Sequence, residues 1–126
     1  MSYLYENRNP CQQKDDDCVI RAISTVTNKS WKDVFWDLAI RASMICDLPN
    51  ANRVWMPYLE SLGFIKLNIP NTCPYCYTIR DFANDHKHGI YVVGDGQHAV
   101  AVVDGYYIDN YDSGDRTVLF FFEKEW

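Results

Sequence analysis

A predicted hairpin in the last third of the chain constrains the fold more than any other feature. The stretch HAVAVVDGYYIDNY contains two runs rich in strand-forming residues, and Asp104-Gly105 stands between them. Asp-Gly between two such runs is a strong signal for antiparallel strands joined by a two-residue turn. With that turn, Val103 lies opposite Tyr106 and His98 lies opposite Tyr111, which fixes the side chains that share each face of the pair.

Three segments before this hairpin have helical patterns. The first is CVIRAISTVT, which begins at Cys18 and repeats its apolar residues at helical spacing. Ser30 with Asp33 forms a capping box ahead of a second helix, WKDVFWDLAIRAS. A third helix is predicted over residues 52–62, with Gly63 as its C-terminal cap.

The remaining patterns are mostly those of strands. FIKLNI, GIYVVG and VLFFFEK are predicted strands, and Thr78 with Asp81 caps one short helix, IRDFANDH. Helices therefore come first and an antiparallel sheet follows, which predicts an α+β fold of two packed layers. We expect a single domain over residues 1–126, made of an N-terminal arm (1–17), a helical half (18–62) and a mostly sheet half (63–126).

Charge and composition exclude several classes of protein. The formal net charge is −5, and a mild acidic excess argues against nucleic acid or anionic lipid as a partner. No apolar stretch approaches the roughly 18 residues that a membrane span needs, and the first residues lack the pattern of a signal peptide. Five cysteines, an odd number, without an export signal predict reduced thiols and a cytoplasmic protein.

The position of Cys18 indicates a nucleophile. A thiol attacks as the thiolate, and both a helix N-terminus and a nearby imidazole favour that form. Cys18 opens the first helix, at the edge of its buried face and beside the polar side that carries Arg21. His98, at the start of a strand, is the candidate base. The carboxylates of Asp15, Asp16 and Asp17 come directly before Cys18 and are candidates to cap the helix.

A third group must orient the histidine ring through its other nitrogen. If the hairpin closes through a two-residue turn, Asp109 lies on the His98 face of the strand pair. A three-residue loop would instead favour Asn110 or Asp112. We favour Asp109, because Asp-Gly favours the tight turn.

The oxyanion of a tetrahedral intermediate requires hydrogen-bond donors. The backbone amide of Cys18 is one candidate. Gln12, six residues ahead of Cys18, is the best side-chain candidate, and its neighbour Gln13 is an alternative.

These motifs resemble those of papain-like cysteine peptidases, and most of all the small phage and bacterial members related to the peptidases that cleave double-glycine bacteriocin leaders. A Gln six residues before a helix-opening Cys is the papain-like arrangement. The small members of that family contain a DCVxRA helix, a TxxxF segment followed by a G.Y strand, and an HxVAVxDGxxxD motif. The chain has DCVIRA at 17–22, TIRDF at 78–82, GIY at 89–91 and HAVAVVDG at 98–105, followed by Asp109.

The resemblance implies a half-helical, half-sheet fold with the site in the cleft between the halves. It implies Cys18 as nucleophile, His98 as base, Asp109 as orienting residue and Gln12 as oxyanion donor. It implies hydrolysis of an amide in a peptide or protein substrate through a thioester, with peptidase, deamidase and acyl-transferase chemistry left open. It also favours a phage or bacterial source, and we find no requirement for a cofactor.

Two other interpretations stay open. Cys18 alone is also typical of a half-buried helix cysteine, and the acidic run beside it is compatible with an inactive binding or inhibitor module on the same fold. Cys73-Pro74-Tyr75-Cys76 is identical to the redox motif of glutaredoxins, which makes a thiol-disulfide protein the third hypothesis. A zinc site would need His86 or His88 to join that pair, and a lone CxxC is a weak metal signal.

Overall fold

The computed structural model describes residues 2–13 and 16–124, which form four helices and six strands. In chain order these are β1 (Tyr3–Tyr5), α1 (Cys18–Thr27), α2 (Trp31–Ile45), α3 (Asn52–Ser61), β2 (Phe64–Asn68), α4 (Ile79–Asp85), β3 (Ile90–Gly94), β4 (Ala99–Val103), β5 (Tyr106–Asp109) and β6 (Phe120–Lys124). Of the helices in this part of the chain, none combines the length and the apolar character needed to cross a membrane. The predicted α+β class is confirmed.

Several of the predicted local signals are present at the ends of these elements. The Ser30 hydroxyl accepts a hydrogen bond from the Asp33 amide at the start of α2. Thr78 and Asp81 form a reciprocal capping box at the start of α4. Asp104 and Gly105 both have positive φ angles (49° and 85°), as a two-residue turn of the primed type requires, and Val103 pairs with Tyr106.

The six strands form one mixed sheet in the order β1-β5-β4-β3-β6-β2. Every neighbouring pair is antiparallel except β1 with β5, where Tyr3 pairs with Tyr107 in a parallel register. The prediction of a purely antiparallel sheet and of an irregular arm over residues 1–17 is therefore wrong at residues 3–5. A three-residue strand is too short to show a period, and its place is set by the open hydrogen-bonding edge of β5.

The sheet is covered on both faces, which corrects the prediction of two layers. Val92 and Ala101 belong to a core with α1, α2 and α3, whereas Val93 and Val100, their neighbours along the strands, pack with α4 and Tyr107. The sequence signal for this arrangement is that β3 and β4 are apolar without alternation, which is typical of strands buried on both faces.

Candidate active site

The three predicted catalytic residues meet at one end of the β4–β5 hairpin. Cys18 is the first residue of α1, His98 directly precedes β4, and Asp109 is the last residue of β5. Helix α1 packs against β4 and β5, and this packing brings its N-terminus to the strand ends. The fold therefore brings together Cys18 and Asp109, which are 91 positions apart in the chain.

The His98 ring links the other two side chains. Its Nε2 atom lies 2.7 Å from Oδ2 of Asp109. The ring and the side chain of Cys18 are close enough to shift each other's pKa, and both residues lie in the wall of one cavity. Because Asp109 occupies Nε2, Nδ1 is the ring nitrogen left for the thiol, which gives the imidazole one partner on each side.

The surroundings of Cys18 and His98 favour an ion pair between them. Burial raises the pKa of the Cys18 thiol, but hydrogen bonds from His98 and from the Ala99 backbone, with the charges of His98 and Arg21, bring the pKa below its ordinary value. Burial lowers the pKa of His98, but its bonds to Asp109 and Cys18 raise that pKa to about 9. Both directions favour thiolate and imidazolium at neutral pH.

Asp109 is buried, with 1% of its surface exposed, and is held from several sides. Its Oδ1 atom accepts from Arg21 Nη1 at 2.6 Å and from the Asn110 backbone amide at 2.8 Å. The Ser113 hydroxyl donates to Oδ2 at 2.7 Å. Burial raises the pKa of Asp109, but the hydrogen bonds from His98, Arg21 and Ser113 hold that pKa below its ordinary value. The carboxylate stays charged and fixed beside the imidazole.

Sequence reasoning missed the role of Arg21 and Asp17. Arg21 was predicted on the polar side of α1 but is only 7% exposed, and its Nε donates to Asp17 Oδ1 at 2.8 Å. Asp17 stands at the N-cap position of α1 without capping it, because its carboxylate bonds Arg21, Asn9 and the Trp31 indole instead. Asp16 is exposed, and the predicted cap at Asp15 lies outside the described residues. The i, i+4 spacing of Asp17 and Arg21 is the signal that would have revealed the pair.

The site opens into a cavity of about 270 Å³. Cys18 and His98 lie in its wall beside polar residues, and the complete lining is Asp16, Cys18, Val19, Arg21, Asn50, Asn52, Trp55, Gly96, Gln97, His98, Ala99, Asn110 and Tyr111. Tyr111 covers the outer side of the histidine, with its hydroxyl 3.4 Å from Nε2. A ligand in the cavity has direct access to the Cys18 sulfur and meets mostly polar walls.

The structure does not bring Gln12 to this cavity. Its Nε2 atom donates to the backbone carbonyls of Asn7 and Asn9, at 3.2 and 3.0 Å. Gln13 is also exposed, and neither glutamine lines the cavity. The arm thus holds Gln12 in a local turn at positive φ, which the spacing to Cys18 does not reveal. Its role as an oxyanion donor stays a prediction.

The two alternatives to Asp109 have other surroundings. Asp112 accepts from the Tyr107 hydroxyl at 2.6 Å and lies near Arg80, without contact to His98. Asn110 lines the cavity, but its side chain makes no bond to the ring. The two-residue turn explains this outcome, because it puts Asp109 on the histidine side of the pair.

The loop between β3 and β4 positions His98. Asp95 Oδ1 accepts from the backbone amides of Gln97 and His98, both at 2.9 Å, and Arg116 binds its Oδ2. Gly94 allows the loop to close tightly, since a Cβ there would lie 2.6 Å from the backbone oxygen of His98. The backbone of the histidine is therefore fixed before the side chain makes its own bonds.

Substitution Gly94→Ala should displace His98 and slow the alkylation of Cys18 by iodoacetamide at about pH 6 by about tenfold or more, since small displacements of catalytic groups are costly. Gly105→Ala is the matched control, because it strains the turn at the other end of β4, at a φ of +85°. Its Cys18 rate should match the wild type after correction for unfolded protein by circular dichroism. Equal rates in both variants would contradict the role given to Gly94.

The other cysteines lie outside this site. Cys73 and Cys76 form a disulfide in the loop between β2 and α4, next to a separate cavity, so the prediction of reduced thiols is wrong for this pair. Cys11 and Cys46 are free and exposed. Within residues 2–13 and 16–124, no group of three or more His, Cys, Asp or Glu side chains is arranged to hold a metal ion.

Comparisons of the chain with protein-family models, with curated proteins and with solved structures found no match. The interpretation of the site therefore rests on its own residues and their geometry.

Proposed function

We propose that this chain is a papain-like cysteine hydrolase that cleaves an amide bond through a thioester. The observation that carries the proposal is the hydrogen-bonded pair His98–Asp109 with Cys18 beside the imidazole at the wall of one cavity. The order Cys, His, Asp along the chain and the position of Cys18 at a helix N-terminus support the papain-like assignment.

The arrangement supports both halves of such a reaction. The Cys18 thiolate attacks the carbonyl carbon, a C–S bond forms, and the carbonyl electron pair moves to oxygen. The His98 imidazolium then protonates the amide nitrogen as the C–N bond breaks, which leaves a thioester on Cys18. His98 next takes a proton from water, whose oxygen attacks the thioester, and the thiolate leaves as the carboxylic acid forms.

Asp109 holds the imidazole in one orientation and favours its protonated form throughout this cycle. It is bound by Arg21 and Ser113 as well as by His98, so it does not need to move when the ring changes its protonation state. The cavity is small and polar, which suits a short peptide segment or a side-chain amide better than a bulky apolar group. The substrate we propose is a peptide or protein.

Replacing the nucleophile tests this function. Wild-type protein should cleave members of an internally quenched peptide library, or release ammonia from glutamine-containing peptides. Cys18→Ser should lower kcat/KM by more than about a thousandfold, because loss of a nucleophile removes the covalent route. Cys46→Ser, which alters an exposed free thiol, should leave the rate unchanged. Equal rates for wild type and Cys18→Ser would refute the proposal.

Two further measurements on cysteine variants separate the other two hypotheses. The Cys73–Cys76 disulfide favours a thiol-disulfide protein as the second candidate, and its loop shares no residue with the cavity of Cys18. Oxidation of a dithiol peptide to its disulfide, with reduction of the Cys73–Cys76 disulfide to two thiols, that is lost in Cys76→Ser and kept in Cys18→Ser would favour that candidate. Specific binding of a peptide without turnover, equally strong in Cys18→Ser, would favour the inactive binding module.

A further inference from the structure

A buried amide group in the wall of the cavity that contains Cys18 has no hydrogen-bond partner. In the described part of the chain, only two buried side-chain nitrogen or oxygen atoms are unpaired, and Asn110 Nδ2 is one of them. Asn110 is 8% exposed, so more than nine-tenths of its surface is buried. The residue lies in the wall of the cavity that contains Cys18 and His98.

An unpaired buried donor is unusual in a folded protein and is costly to maintain. The position of Asn110 is also fixed with respect to the triad, because its backbone amide donates to Asp109 Oδ1 at 2.8 Å. A half-turn about the terminal torsion exchanges the amide nitrogen and oxygen without any movement of the backbone. The side chain is thus able to turn an N–H group towards an acceptor that forms in the cavity.

The other amide side chains are less suitable donors. The Gln12 amide donates to the carbonyls of Asn7 and Asn9, outside the cavity. Asn52 donates to the Gly96 carbonyl and accepts from the Trp55 indole, and the two remaining amides of the wall, Asn50 and Gln97, are exposed to water. Asn110 combines burial, a position in the cavity wall and an amide nitrogen that lacks an acceptor.

We propose that Asn110, together with the backbone amide of Cys18, donates a hydrogen bond to the oxyanion of the tetrahedral intermediate. Asn110 is then a catalytic residue of this site, in the role that the sequence spacing assigned to Gln12. The inference rests on the proposed hydrolase function, because it needs Cys18 to attack a carbonyl. The acceptor that the Asn110 amide lacks in the free protein is the oxygen that becomes negative during the reaction.

Two small reagents separate this role from the reactivity of the thiolate. N-acetylglycinal adds to Cys18 reversibly: a C–S bond forms, the aldehyde π pair moves to oxygen, and that oxygen carries negative charge or a proton from His98. Iodoacetamide alkylates the same sulfur by displacing iodide, and no oxyanion forms. The affinity for the aldehyde is measured as protection of Cys18 from alkylation, followed by mass spectrometry of the Cys18 peptide.

Asn110→Ala should bind the aldehyde about tenfold to a hundredfold more weakly than the wild type, because one donor to a charged oxygen is lost. Its alkylation rate without aldehyde should stay within about twofold, which also shows that the Cys18–His98 pair is intact. If Asn110→Ala fails to fold, Asn110→Leu, which is closer in volume to Asn, takes its place. Gln12→Ala should change neither measurement.

Three outcomes would overturn the inference. Unchanged aldehyde affinity in the Asn110 variant shows that the amide does not contact the oxyanion. A parallel loss of alkylation shows a structural role, and weaker aldehyde binding in Gln12→Ala instead returns the role to Gln12. Failure of the hydrolase proposal is recognised separately, because Cys18 of the wild type would then titrate like a free thiol.

Discussion

Iodoacetamide should alkylate Cys18 of the wild type at about pH 6 about tenfold or more faster than it alkylates Cys18 of His98→Ala. Burial raises the pKa of the Cys18 thiol, but His98 brings that pKa below its ordinary value, and the imidazolium stays protonated because its pKa is about 9. In His98→Ala the burial remains and the imidazolium is lost, so the thiol pKa rises to its ordinary value of about 8.5 or above. The rate at about pH 6 should then fall, because only a small fraction of the thiol remains thiolate.

Peptide mapping gives this experiment its controls within the same molecule. Cys11 and Cys46 are free and exposed, so their labelling in the same sample should be the same in the wild type and in His98→Ala. His86→Ala is the matched variant, since His86 is half-buried but stacks on Phe82, away from Cys18. It should leave the Cys18 profile unchanged. A Cys18 profile that is the same in the wild type and in His98→Ala would show that no ion pair exists.

For the proposed hydrolysis, the directions of both pKa shifts predict how the rate depends on pH. Below the lowered pKa of Cys18 the nucleophile is protonated, so activity is lost on the acidic side. Above about pH 9 the imidazolium loses the proton that the leaving amine needs, so activity is lost on the basic side. Alkylation needs no such proton and should persist there, which distinguishes the general acid from the nucleophile.

Local signals predicted the geometry of the candidate active site well. Asp104-Gly105 fixed the turn and the register, and the register placed Asp109 rather than Asp112 beside His98. The helix at Cys18 was visible from its periodicity alone. These features depend on neighbours in the chain, or on the period of one element, and both can be read from a single sequence.

Features that depend on distant pairing were not predictable in the same way. Strand β1 exists because β5 offers it a backbone edge, and three residues carry no period that would show this. Arg21 was assigned to the polar side of α1 because charged residues are rarely buried unless paired. Only the fold supplies its second carboxylate, Asp109, from a position 88 residues further along the chain.

Gln12 and Asn110 show the same limit inside the site. The six-residue spacing to Cys18 is compatible with many conformations of an arm, and the structure turns the Gln12 amide onto Asn7 and Asn9. The missing partner of Asn110 is a property of the packed structure, so no spacing indicates it. Side chains that are positioned by irregular segments are therefore the part of a site that sequence patterns predict least well.

Replacing Arg21 by methionine should destabilise the protein by about 3–5 kcal/mol, the usual cost when one partner is removed from a buried ion pair. The Arg21 guanidinium bonds Asp17 at 2.8 Å and Asp109 at 2.6 Å, and the three side chains are all at least nine-tenths buried. Methionine fills similar space but leaves two buried carboxylates without their shared cation. Urea unfolding followed by tryptophan fluorescence gives the change in the free energy of unfolding.

The pH dependence of this loss distinguishes a charge effect from a packing effect. The pKa of Asp109 is lowered in the folded protein, so its bonds stabilise the fold above the unfolded carboxyl pKa of about 3.9 and are lost as the pH falls. The difference in the free energy of unfolding between the wild type and Arg21→Met should therefore narrow below about pH 4, because a protonated Asp109 carboxyl no longer needs a cation.

Arg41→Met, which removes a guanidinium that bonds Ser61 at the surface, should cost less than about 1 kcal/mol at any pH. A loss in Arg21→Met that is no larger than this control, or that does not change with pH, would show that Arg21 is not the cation on which the buried carboxylates depend.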